Sequence, residues 1–127
     1  MHGIPITAVF IALLSLMLVA ISIRITVLRA RKKVDLFDGG DAQLGRAIRV
    51  QGNFIEYVPF ALAIMGLIEA MGGKPWLVYT YGAVLLAARL GHALGIYSNV
   101  FQARVVSTTA TWILLAGGGL IVLVLVA

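Results

Sequence analysis

The chain contains no cysteine. Disulfide staples and thiolate metal sites are therefore excluded. Charge is scarce as well. Asp, Glu, Lys and Arg supply only 12% of 127 residues, too little for the solvated surface of a soluble domain of this size. No catalytic triad, metal-ligand cluster (so no metal is expected) or phosphate-loop spacing is present. Neither an internal repeat nor a low-complexity tract occurs. Lys and Arg are missing before Arg24. The N-terminal stretch thus lacks the positive region that opens a secretory signal peptide, and its apolar run from Ile6 is too long for one. It reads as a retained first spanning helix.

What is present is apolar: 61% of the residues are hydrophobic. That fits a small integral membrane protein with one transmembrane domain over residues 1–127. The net charge of +5 does not indicate nucleic acid, because the basic residues flank apolar runs instead of forming a soluble basic face. Four apolar segments predict helices over about 6–28, 43–71, 76–97 and 103–126, each near the roughly twenty residues that cross about 30 Å of hydrocarbon. The expected fold class is an all-α integral membrane four-helix bundle with antiparallel sequential helices.

The first connection opens with Arg29, Arg31, Lys32 and Lys33, a cluster that should stay cytoplasmic. Both termini are then expected outside, in a multi-pass membrane protein. Asp38 to Asp41 is turn chemistry, with Asp41 as cap of the second helix. Gly72-Gly73-Lys74-Pro75 is a tight turn on the opposite side, where Trp76, Tyr79 and Tyr81 should form an aromatic belt. Gly91 and Gly95 form a small-xxx-small pair that lets another helix approach, whereas the run Gly117 to Gly119 reflects how common glycine is in membrane helices.

On this topology the polar residues gather at one end. Arg24 closes helix one; Arg46, Arg49, Asn53 and Glu56 descend helix two; Arg89 and His92 approach the end of helix three; Arg104, Ser107 and Thr108 open helix four. The other half holds little beyond Glu69 and Lys74, read as interfacial. Arg49, Asn53 and Glu56 share one helical face. An ionisable side chain at membrane depth is costly and marks a site. The chemistry suggested is anion binding, since the planar guanidinium fork matches carboxylates. Glu56 would pair an arginine from another helix, Arg24 among them, or accept a ligand ammonium. Pro59 removes a helical donor and frees the Ile55 carbonyl beside Glu56. The bland readings are snorkelling for Arg46 and helix–helix hydrogen bonding for Asn53 and His92.

Three stretches carry a resemblance: Asp38-Gly39-Gly40-Asp41; Arg46-Ala47-Ile48-Arg49-Val50-Gln51-Gly52-Asn53-Phe54-Ile55-Glu56-Tyr57-Val58-Pro59; and Arg89-Leu90-Gly91-His92. Together they resemble the bacterial branch of the MAPEG family, the membrane-associated proteins in eicosanoid and glutathione metabolism. The resemblance implies a homotrimer of the bacterial inner membrane that binds glutathione, as co-substrate, between subunits near the cytoplasmic side. It matches Arg49, Asn53 and Glu56 to positions that hold the glutathione peptide, and Arg89 and His92 to a second pair beside them. Arg104 resembles the arginine that stabilises the glutathione thiolate, which would make it the catalytic residue. Two departures stand out. Gly52 replaces a larger residue of eukaryotic members, and Ile96 takes the spacing of a tyrosine, with Tyr97 next to it.

The function this suggests is binding of glutathione or a related thiol. Transferase or peroxidase chemistry on a lipophilic small-molecule electrophile would follow. Expected partners are membrane lipid and further copies of the chain, without nucleic acid. A small proton-coupled multidrug exporter and a non-catalytic structural membrane subunit are the alternatives.

Overall fold

The computed structural model describes residues 3–127; Met1 and His2, at the start of the expected domain, lie outside the described residues. Four helices follow one another: α1 (Pro5–Lys32), α2 (Ala42–Ala70), α3 (Pro75–Tyr97) and α4 (Phe101–Val126). All four are long and apolar enough to cross a membrane. Among the described residues there is no strand.

Helices α2 and α3 form the centre: each packs against the other three, while α1 and α4 do not meet. The main core runs between the helices through Leu14, Val50, Phe54, Ala61, Met65 and Leu85. The α3–α4 contact is close because glycines remove side chains from it. A Cβ on Gly91 would lie 2.7 Å from the Ser107 hydroxyl, and one on Gly95 would lie 3.0 Å from the Arg104 backbone nitrogen. The seam therefore sets where α4 places Arg104 and Ser107.

Several details depart from the sequence reading. Helix α1 continues through Lys32, so Arg29, Arg31 and Lys32 are helical; basic side chains are good helix formers and favour a helix C-terminus. Pro59 sits inside an uninterrupted α2. Trp76 and Tyr79 are exposed, but Tyr81 is buried. Gly118 is the reason, since a Cβ there would lie 2.8 Å from the Tyr81 ring and 2.6 Å from Ile64. Gly118 is thus a packing requirement, whereas Gly117 and Gly119 face open space.

Asp41 caps α2 by accepting from the Leu44 N–H at 2.8 Å, and Lys32 pairs with its other oxygen at 2.6 Å. The Lys32 ammonium, followed by the Leu44 N–H, holds the Asp41 carboxyl below its ordinary 3.8. At the other end, one residue before the end of α2, Glu69 is buried. Its carboxylate accepts the Ile6 and Thr7 N–H groups at 2.8 and 2.7 Å. Those are orphan donors of the first turn of α1, where no side-chain cap is available from Ile4.

Candidate functional site

On α2, Arg49 and Glu56 lie seven residues, or two turns, apart. The chain between them carries Gly52, whose missing side chain leaves room for Arg49 to fold along the helix. A Cβ there would lie 3.3 Å from Arg49 Nη1. Arg49 and Glu56 make a two-pronged ion pair, Nη1 to Oε1 at 3.2 Å and Nη2 to Oε2 at 3.1 Å. The partner of Glu56 is therefore on its own helix and not on another. Arg24 lies instead over the Tyr97 ring, 4.2 Å from its centroid. The Arg49–Glu56 pair faces outward, with side chains 58% and 47% exposed.

Asn53 turns inward from the same stretch and is buried. Arg89, only 2% exposed, donates through Nη1 to Asn53 Oδ1 and through Nη2 to Thr111 Oγ1, both at 2.5 Å. Thr111 in turn donates to the Ser107 carbonyl at 3.0 Å. One guanidinium so ties α2, α3 and α4. Its Nε has no partner, and its acceptors are neutral. A buried cation normally requires a counter-charge, because burying it uncompensated costs several kcal/mol.

Beside this tie lies a hollow of about 340 Å³, lined by Arg49, Asn53, His92, Ile96, Arg104 and Thr108. Its size falls in the range of roughly 300–1,000 Å³ common for small-molecule sites. His92 is buried, and Arg104 lies 5.3 Å from the Phe101 ring centroid. Of the six residues expected at the site, Arg49, Asn53, His92 and Arg104 line the hollow together. Arg89 stands behind Asn53, and Glu56 is joined through Arg49. Arg46 is exposed and does not line it. Ile96, which takes the spacing of the family tyrosine, lines the wall, while Tyr97 packs toward α1 under Arg24. Thr111 was not foreseen. Its signal was spacing, four residues after Ser107 and seven after Arg104, on one face of α4.

A family model covers nearly the whole bundle, matching residues 7–124. The chain belongs to the MAPEG family. The match spans all four helices and every residue of the hollow. The chain is also similar to the inner membrane protein YecN of Escherichia coli strain K12, with 37% identity over 107 residues, covering 84% of this chain and 82% of the relative. The YecN protein of Escherichia coli O6:H1 strain CFT073 gives the same 37% identity and the same coverage. The role of the hollow in this chain rests on its own chemistry.

Proposed function

We propose that the hollow binds glutathione or a related thiol peptide, in a homotrimer of the inner membrane with both termini outside. One observation carries this reading. Arg49, Arg89, Arg104 and His92 converge, Glu56 is the one carboxylate among the described residues joined to them, and buried Arg89 has only neutral partners. Such a surplus of donors suits a ligand with carboxylates and an ionisable thiol. Glutathione fits in charge as well: Arg49 and the Arg89–Asn53 pair would hold carboxylate ends, and Glu56 would take the ammonium group.

Arg104 is the thiolate-stabilising residue of this reading. A cation beside a thiol lowers its pKa and raises the fraction of nucleophile. The thiol proton passes to water. The thiolate sulfur then forms a bond to an electrophilic carbon of a lipophilic substrate. Where that substrate carries a leaving group, the group departs with the electron pair; where it is an activated alkene, the π pair moves to the far carbon, which takes a proton from water.

Assembly follows from the position of the ion pair. Glu56 lies fourteen residues from the start of α2, about 21 Å along a helix about 43 Å long. A half-exposed ion pair at that depth would be costly against lipid. A neighbouring copy covering it removes the cost and closes the hollow.

The test is the ultraviolet absorbance of thiolate when glutathione is mixed with the purified protein near neutral pH. Wild type should show a thiolate band and Arg104→Ala should lose it while still binding glutathione. Absence of the band in wild type would remove the catalytic part of the proposal.

A further inference from the structure

The segment between α1 and α2 is fixed, yet it presents its most apolar side chains to the outside. Arg29 Nη1 donates to the Phe37 carbonyl at 2.7 Å and to the Asp35 carbonyl at 3.3 Å. Lys32 and Asp41 tie its two ends at 2.6 Å, and Asp38 accepts from the Gly40 N–H at 3.0 Å. Held this way, Phe37 adopts a left-handed backbone with φ +56°, uncommon for a bulky residue. The result is that Leu36 and Phe37 stand 71% and 84% exposed, side by side. Next to them a hollow of about 320 Å³ is lined by Arg29, Ala30, Lys33, Val34 and Asp35. Arg31 and Arg46 are also exposed nearby in sequence, on the last turn of α1 and the second turn of α2.

A loop that ends two membrane-length helices lies at the level of lipid headgroups. A strained, exposed phenylalanine beside a cationic hollow matches the two layers met there: phosphate outside, acyl chain beneath. We propose that this loop is an anionic-phospholipid site, with the lipid phosphate in the Arg29–Lys33 hollow and Leu36 and Phe37 inserted among the acyl chains. Asp35 also lines the hollow, so its carboxylate opposes the phosphate and the Arg29 and Lys33 cations must outweigh it. This inference rests on the spanning of the helices and not on thiol binding.

The chain has no cysteine, so Phe37→Cys accepts a single environment-sensitive fluorophore. In vesicles containing phosphatidylglycerol, lipids brominated near the headgroup should quench it, and aqueous iodide should not. Quenching by iodide alone would overturn the insertion. Disulfide-linked pairs of unlabelled Phe37→Cys chains would overturn it too, by assigning the patch to a second copy. In a Trp76→Phe background, quenching of exposed Trp112 by deeply brominated chains reports the spanning of α4 separately. Native mass spectrometry tests the headgroup. Wild type should retain phosphatidylglycerol in preference to phosphatidylcholine. Arg31→Gln and Lys33→Gln should each lower that retention about fivefold, the equivalent of roughly 1 kcal/mol per basic residue at a lipid surface. Equal retention by wild type and both variants would overturn the phosphate site.

Discussion

The two ends of the bundle each bury a charged side chain, and they treat it in opposite ways. At one end, Glu69 accepts two backbone N–H groups that open α1, so both carboxylate oxygens have donors. At the other, Arg89 has an unpartnered Nε and leans on an amide and a hydroxyl. A buried charge whose partners are complete is fastening. One left short of counter-charge beside a hollow is, on the proposed reading, prepared for a ligand. The carboxylate that sequence position made most conspicuous, Glu56, belongs to neither class: it is half exposed and paired along its own helix.

The comparison breaks most visibly at Glu69. Glu69→Ala leaves two donors at the start of α1 without acceptors and removes two charge-assisted bonds, a loss of about 3 kcal/mol. Thermal unfolding in detergent should show a large drop in Tm, while the surviving folded protein keeps the glutathione affinity of wild type. A loss of affinity with stability intact would place Glu69 in the site and erase the distinction.

The α3–α4 seam comes next. Gly95→Leu forces a side chain against the Arg104 backbone, which overpacking makes worth about 2 kcal/mol. Because the displaced residue is Arg104, thiolate formation should fall along with Tm. Gly91→Ala meets a serine hydroxyl that can rotate away, so its cost should stay below about 1 kcal/mol. Equal effects at the two positions would mean that the seam does not position Arg104.

The smallest effect concerns Asp41. Its folded pKa lies below the ordinary 3.8 because of Lys32 first and the Leu44 N–H second. A depressed carboxylate contributes its stability above the ordinary value and loses it as pH falls through the lowered one. Unfolding measured between pH 5 and more acidic conditions should therefore show a slight loss confined to pH below about 3.8. Asp41→Asn keeps a capping oxygen and should flatten that slope. A slope unchanged in the variant would assign it to other groups.

Much of this architecture is written in local sequence. Four apolar runs of membrane length specify four helices, and the polar residues at one end of each specify where a site forms. Contacts between helices are less legible. Spacing placed Glu69 at a depth but did not say that its carboxylate would reach across to α1. Tyr81 has the depth of a belt residue, yet the rotation of α3 buries it against Gly118. Arg89 and Asn53 were each visible, but their joining through Thr111 depends on how closely three helices pack. Depth along a helix is set by position in the chain, whereas rotation and crossing are set by side chains from elsewhere.

The central claim, that the cationic end takes a zwitterionic thiol peptide, is tested most directly by calorimetric titration with glutathione of wild type, Arg49→Ala and Glu56→Gln. Each variant should fold and assemble yet bind about one to two decades more weakly, the loss of a charged hydrogen-bond partner worth roughly 1.5–3 kcal/mol. Unchanged affinity in both variants would contradict the account.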